Sequence, residues 1–207
     1  NKKYSPFFKV AAKILLQNSK FINTVNFTIQ EKGNGYAGKY TKSKDGQHTV
    51  AIFLDGHNGA GVVGVLLHEY LHALTADVVS GISPQAARNT GQFNNVRTPA
   101  QEKALSDIKD LMVEINSLLM EQGDMNSLNG EALSNPDEFI AYVFTSPQFQ
   151  AALRNLKTPK VNRTLLHRVL DKILGLFGLN VAPAERVIYN EALEKITAFT
   201  NTVNKTG

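Results

Sequence analysis

Two histidines and one glutamate have the types and spacing that metal-assisted hydrolysis requires. His68 and His72 are four residues apart in the segment His-Glu-Tyr-Leu-His. On a helix, residues with this spacing share one face about 6 Å apart, so both imidazoles can bind one metal ion. Glu69 lies beside them and can accept a proton from a water molecule that the metal activates. The pattern predicts a zinc site that prepares water for attack on an amide.

Chance is a weak explanation for this pentapeptide. A shuffled chain with five His and ten Glu among 207 residues would contain it about 0.006 times. The alternative is a pair of core histidines bonded to backbone groups. That alternative gives no reason for placing three polar side chains on an apolar helix, where each must find a partner.

The helix that must carry the motif spans residues 60–79 and is apolar nearly all round, so we expect it to be buried. A helix over residues 6–17, capped by Ser5, starts the chain. Three short strands are predicted between these helices, at residues 25–30, 35–42 and 48–54. Asp45-Gly46 favours a tight hairpin between the second and third strands. We expect an antiparallel meander, and the weak alternation of apolar and polar residues in its third strand favours an edge position for that strand.

The second half of the chain is predicted to be mostly helical. Residues 80–97 are rich in Gly, Ser, Asn and Gln, which predicts a long surface loop. A capping box at residues 98–101 opens an amphipathic helix that stops before Gly123. Further helices are predicted at residues 136–145, 161–177 and 183–200. The prediction is one α+β domain over residues 1–207, in which a small antiparallel sheet packs on the metal-bearing helix and residues 98–207 form a helical subdomain.

The segment at residues 68–72, on a helix that follows a strand, resembles the zincin metallopeptidases. The resemblance implies a Zn²⁺ ion, Glu69 as general base and hydrolysis of a peptide bond. It also implies a substrate held by strand addition at a sheet edge, for which the strand over residues 49–54 is the candidate. Zincins with an extended motif need Gly and then His or Asp where this chain has Thr75 and Val78. That branch is excluded, and the chain is more similar to the gluzincins, which take a Glu from a later helix.

Glu138 is the favoured third ligand, because it is the odd polar residue near the start of the short apolar helix over residues 136–145. An alternative role is open: with Asn135 as N-cap, Glu138 could close a capping box, and both roles can coexist. The other carboxylates considered as ligands are Asp77, Glu102, Glu114, Glu121 and Glu131.

Three further residues are candidates for supporting roles. Tyr142 lies one turn beyond Glu138 on the same face and could donate a hydrogen bond to the oxyanion, although a Tyr bonded to backbone is an equal alternative. His57, in the Gly-rich loop before the motif helix, is the other candidate oxyanion donor. Asp77 is a candidate to hold a ligand imidazole, with solvation at the helix end as the default. His48 and His167 are expected at the surface.

The segment at residues 138–150 also looks like the stretch after the catalytic helix in zincin-like domains of bacteriophage and mobile-element proteins. This looser resemblance supports Glu138 as the acidic ligand. It also implies an alternative function, a non-catalytic binding or structural module of a larger phage or mobile-element protein or virion assembly. Retention of Glu69 argues against that alternative, because binding zinc does not need a base.

The amino-acid composition excludes or disfavours several other kinds of site and partner. The chain has no Cys, which excludes disulfides, thiolate nucleophiles and Cys-based zinc sites. Residues 1–50 carry nine Lys against two acids, and residues 101–140 carry two Lys against nine acids. The basic quarter lacks interleaved Arg and aromatic residues, so a nucleic-acid partner is disfavoured. The longest apolar run, residues 59–67, is too short to cross a membrane. We expect a protein or peptide substrate and a cytoplasmic or virion-associated location.

Overall fold

The computed structural model describes residues 6–55, 61–92, 94–122, 130–156 and 164–177. Within these ranges the chain forms eight α-helices, one 3-10 helix and a three-stranded sheet, which confirms the α+β class. The α-helices are α1 (Pro6–Gln17), α2 (Ser19–Ile22), α3 (Gly61–Ser80), α4 (Pro84–Thr90), α5 (Pro99–Gln122), α6 (Pro136–Thr145), α7 (Pro147–Asn155) and α8 (Leu165–Leu176). The 3-10 helix spans Gly130–Leu133. The helix predicted over residues 183–200 lies outside the described residues.

The sheet is mixed, and its strand order corrects two predictions. The strands are β1 (Asn26–Gln30), β2 (Gly38–Lys42) and β3 (His48–Phe53), in the order β1-β3-β2. β2 and β3 form the predicted antiparallel hairpin, but β1 pairs with β3 in parallel, so the antiparallel meander was wrong. β3 is the central strand rather than an edge. Its consecutive apolar residues at 50–53 are buried on both faces of the sheet, which is typical of a central strand.

α3 is the element on which both halves of the fold pack. One face of α3 packs on β2 and β3, where Ala73 joins a small core with Val50 and Ile52. It also contacts α1, α2 and α6, and Leu67 and Leu71 join the larger helical core. By length and composition α3 could cross a membrane. In this structure α3 packs on the sheet and on three helices, and seven of its residues are buried.

The segment between α3 and α5 is more ordered than predicted. Instead of a long loop it contains α4, which is capped by Ser83 and ends at Gly91 with a left-handed backbone (φ 71°). After it, the Arg97 guanidinium donates to the carbonyls at the end of α3 and pairs with Glu102. These bonds tie the end of α3 to the start of α5 and satisfy carbonyls that have no partner within α3.

The predicted start of α5 is confirmed. Thr98 and Gln101 exchange backbone and side-chain hydrogen bonds of 2.9 and 3.2 Å, as a capping box requires. α6 begins at the predicted residue, and α8 falls within the predicted 161–177. α2 and α7 were not predicted.

Candidate metal centre

His68, His72 and Glu138 meet between α3 and α6. The two His Nε2 atoms are 3.0 Å apart. Glu138 Oε2 lies 3.4 Å from His68 Nε2 and 3.5 Å from His72 Nε2. The four-residue spacing on α3 aligns the imidazoles, and the first turn of α6 brings the carboxylate to them. The structure therefore brings together the three residues that the sequence predicted as metal ligands.

The size of this triangle fits a small metal ion. Two atoms that each lie 2.0–2.1 Å from a tetrahedral zinc are about 3.3 Å apart. The three observed separations, 3.0, 3.4 and 3.5 Å, bracket that value. In addition, Glu138 Oε2 is buried and has no hydrogen-bond partner among the described residues. A buried carboxylate oxygen without a partner is costly unless something else binds it, and two imidazoles with one carboxylate are a ligand set typical of zinc.

Hydrogen bonds in the first turn of α6 distinguish the two roles considered for Glu138, metal ligand and capping-box residue. Asn135 is the N-cap, and its side-chain oxygen accepts from the backbone N–H groups of Asp137 and Glu138 at 2.9 and 3.0 Å. Among the described hydrogen bonds, none joins the Glu138 carboxylate to the backbone of Asn135. The helix is thus capped by Asn135 alone, and the Glu138 carboxylate faces the imidazoles instead of closing a capping box.

Hydrogen bonds on the far sides of the two imidazoles fix their orientation. Thr145 at the end of α6 donates its only hydroxyl proton to the Ala141 carbonyl (2.7 Å). Thr145 can therefore only accept from His68 Nδ1, at 3.1 Å. His72 Nδ1 lies 2.9 Å from Asp137 Oδ2, to which it donates. With both Nδ1 atoms protonated, both Nε2 atoms can present lone pairs to the centre of the triangle.

The electrostatics of the cluster favour a positive charge at its centre. Burial alone would lower the pKa of His72, but the carboxylates of Asp137 and Glu138 outweigh burial and raise it to about 10. Burial likewise opposes ionisation of Glu138, yet the imidazoles of His68 and His72 lower its pKa to about 2. Both shifts express the same attraction between buried carboxylates and a cation. A bound metal ion would satisfy that attraction.

Glu69 occupies a buried position between α3 and β2. Only 8% of the residue is exposed, and a Cβ on Gly38 would lie 2.8 Å from Glu69 Oε1. The absence of a side chain at Gly38 therefore makes room for the carboxyl group, which also accepts from the Tyr40 backbone N–H. Burial raises the pKa of Glu69, while the charges of the neighbouring imidazoles oppose that rise. A raised pKa suits a group that must take up and then release a proton.

Tyr40 and His48 extend the site along the sheet, and His48 corrects the prediction that it lies at the surface. The Tyr40 ring stacks on His72 with centroids 6.4 Å apart, and its hydroxyl is 2.8 Å from His48 Nδ1. His48 is 6% exposed and is therefore not a surface residue. Asp77 forms an ion pair with Lys42 and lies 3.6 Å from His48 Nε2. Asp77 therefore does not hold a ligand imidazole, and that position belongs to Asp137.

Tyr142 borders the cluster through its ring. The ring contacts His68 edge to face, with centroids 5.1 Å apart. Its hydroxyl donates to Glu131 Oε2 at 2.7 Å. The residue is thus beside the predicted metal site, but its proton is engaged by Glu131. Its role as oxyanion donor stays a prediction, and the other candidate donor, His57, lies outside the described residues.

The remaining carboxylates considered as third ligand lie elsewhere. Asp77 pairs with Lys42, Glu102 with Arg97, and Glu114 with Arg168. Glu131 is engaged by Tyr142, and Glu121 is exposed near the end of α5. Among the described residues, the one group of three ligand atoms within 4.8 Å of one another is that of His68, His72 and Glu138.

Several residues that shape the site were missed. Asp137 had a usable signal, since it is adjacent to Glu138 in the first turn of the same helix. Thr145 lies seven residues after Glu138, two helical turns along the same face. Gly38 and Tyr40 carried no local signal, because only the pairing of β2 with β3 brings them to α3. His167 hydrogen-bonds to Thr164 at the start of α8, away from the cluster.

No family model, no curated protein and no solved structure matches this chain.

Proposed function

We propose that this chain is a zinc-dependent peptidase that hydrolyses peptide bonds, with His68, His72 and Glu138 as the metal ligands and Glu69 as the general base. The observation that carries the proposal is the triangle of ligand atoms, 3.0 to 3.5 Å apart, in which Glu138 Oε2 has no other partner. A buried carboxylic residue next to a ligand histidine adds the second component that hydrolysis requires.

A zinc ion held there would lower the pKa of a water molecule and polarise the carbonyl of a substrate. In the proposal, side chains of the protein orient the ligands and transfer the proton. Asp137 and Thr145 hold the imidazoles in the tautomer that binds a metal. Glu69, kept basic by burial and oriented by the backbone of Tyr40, takes the proton from the attacking water and passes it to the leaving amine.

The sheet edge next to the cluster supports a peptide as the substrate. The resemblance to zincins implies an extended substrate at a sheet edge, and the strand that borders the site is β2. Gly38 contacts Glu69 and Tyr40 stacks on His72, so a peptide along β2 would pass directly over the cluster. The predicted docking strand, β3, is enclosed by β1 and β2. In the proposal, β2 takes that role.

Cleavage of a peptide library by zinc-loaded protein tests the proposal. The parent should cleave, and Glu69→Gln should keep its zinc but lose about 10²- to 10⁴-fold in rate, because an amide cannot accept the proton. Glu121→Gln is a matched control on the exposed surface of α5 and should cleave as the parent does. Equal cleavage by the Glu69 variant would contradict its role as the base.

The alternative, a zincin-like module that binds without catalysis, predicts a different result of the same experiment. Zinc-loaded parent that cleaves no member of the library, while still holding zinc in this site, would favour the module. The burial of Glu69 argues against it, because burying an ionisable group is costly and a binding site for zinc gains nothing from it.

A further inference from the structure

The outer edge of β2 is partly open for pairing with a second strand. Among the described residues, β2 pairs only with β3. Phe53 N donates to the Ala37 carbonyl just before the strand, and Ser43 N donates to the Gln47 carbonyl just after it. Backbone groups in an antiparallel pair alternate in direction. Residues 38, 40 and 42 therefore direct their N–H and C=O groups away from β3. On this side the Tyr40 N–H donates to the Glu69 carboxyl group, so the groups open to a second strand are those of residues 38 and 42 and the Tyr40 carbonyl.

The side chains of β2 divide between two faces. Those of Tyr40 and Lys42 contact His72 and Asp77 on the α3 side. Because side chains alternate along a strand, Lys39 and Thr41 project from the opposite face. A peptide residue paired opposite Lys39 would place its Cβ about 4.5 to 5.5 Å from that of the lysine, on the same face.

The charge on that face is positive and uncompensated. Lys39 is exposed, and in the described part of the chain it forms no ion pair. Lys42, on the other face, is already neutralised by Asp77. Residues 1–50 contain nine Lys and only two acidic residues. That segment therefore has too few carboxylates to neutralise the charge of Lys39. Opposite charges directly across two paired strands attract, and like charges repel.

We infer that the peptide bound along β2 is acidic and that Lys39 selects it. The inference rests on the proposed function, because it takes β2 as the substrate edge of the metal site. The carboxylate of a bound Glu or Asp would lie beside the Lys39 ammonium, while the peptide backbone pairs with residues 38 and 42 and with the Tyr40 carbonyl. Lys39 is a specificity-determining residue and takes no part in the proton transfer.

Binding of two matched peptides tests the inference without relying on turnover. The peptides are fluorescein-labelled, extended, and identical except for Glu or Lys at alternate positions. Their affinities are measured by fluorescence anisotropy with zinc-loaded Glu69→Gln protein, which should bind without cleaving. The Glu peptide should bind about twofold to fivefold more tightly. The difference should shrink at about 0.5 M salt, because surface charges are then screened.

A charge-reversal variant tests whether Lys39 causes the preference for the Glu peptide. Lys39→Glu should reverse the ranking of the two peptides. Lys9→Glu makes the same change in net charge on α1, away from the sheet, and should preserve the ranking. Equal affinities, a preference for the Lys peptide, no binding of either peptide, or a ranking that survives Lys39→Glu would each overturn the inference.

Two further results separate the possible failures. Cleavage by the zinc-loaded parent, measured separately, decides the proposed function. Cleavage without a charge preference overturns only the role of Lys39, and an acidic preference without cleavage overturns only the hydrolysis. A stable dimer in sedimentation that excludes both peptides would show that a second copy occupies the edge, and the inference would be wrong.

Discussion

Asp137 Oδ2 lies 2.9 Å from Nδ1 of His72, on the side of the imidazole opposite the metal-ligand cluster. The other carboxylate oxygen accepts from the Thr75 hydroxyl, which fixes the carboxylate against α3. Asp137 is the neighbour of Glu138 in the first turn of α6. One helix turn therefore supplies both a direct ligand candidate and the group that orients a second ligand.

Replacing Asp137 by Asn should weaken zinc binding. The amide keeps the shape but loses the charge that supports the His72 imidazole, and such changes typically cost 10- to 100-fold in metal affinity. Competition with a chromogenic chelator measures the affinity. Asp110→Asn, an exposed position on α5, is the matched control and should bind zinc as the parent does. Parent-like affinity in the Asp137 variant would rule out the orienting role.

Glu138→Gln distinguishes a ligand from a helix cap. Gln is a much poorer zinc ligand, so the variant should bind zinc far more weakly. Its metal-free form also loses the charge that pairs with His72, so some loss of stability accompanies the loss of zinc. Asn135→Ala should instead keep zinc affinity close to that of the parent, while removal of the observed cap costs about 0.5 to 2 kcal/mol of stability. If zinc affinity survives in Glu138→Gln, Glu138 is not the third ligand.

The ligand cluster was predictable from sequence because its parts are local. Four-residue spacing aligns His68 and His72 on any helix, and Glu138 stood out in an apolar segment. Asp77, the less favoured candidate for orienting a ligand, lies instead beside Lys42 and His48 on the sheet. Strand pairing between distant segments could not be deduced from local patterns.

The position of β3 in the sheet is a second feature that local sequence patterns could not predict. Its weak alternation was interpreted as a sign of an edge. A strand buried on both faces also lacks alternation, and burial of Val50, Ala51, Ile52 and Phe53 shows that this second cause applies. The 31–37 connection between β1 and β2 carried no signal that β1 would pair with β3 in parallel.

Gly38→Ala should impair turnover without removing zinc. An added Cβ would lie 2.8 Å from Glu69 Oε1 and 2.6 Å from Val65 Cγ1, so the base must move. A displacement of about 1 Å can cost about 10²-fold in rate. Zinc content and peptide cleavage are both measured. Gly130→Ala is the control, because nothing lies within 4 Å of its added Cβ. Unimpaired cleavage by Gly38→Ala would show that Glu69 does not need this space.

The stability of the metal-free protein should depend on pH in a defined way. The pKa of His72 is raised from 6.5 to about 10, so its contribution is complete below pH 6.5 and is lost as pH rises toward 10. The pKa of Glu138 is lowered from 4.5 to about 2, so its contribution is present above pH 4.5 and is lost as pH falls toward 2. Tm measured in chelator should therefore be highest between these limits.

A variant checks the alkaline side of that profile. His72→Gln cannot hold the extra proton, so its Tm should fall less between pH 6.5 and 10 than that of the parent. An identical alkaline slope in both proteins would mean that another group controls stability there.

The zinc content of the purified chain tests the central claim most directly. Metal-free protein is equilibrated with zinc at neutral pH, freed of unbound metal, and analysed by mass spectrometry of the elements. We expect about one zinc per chain in the parent, and none retained by a His68→Ala, His72→Ala double variant that keeps its helical circular dichroism. A parent that retains no zinc, or a folded double variant that retains as much as the parent, would contradict the metal centre.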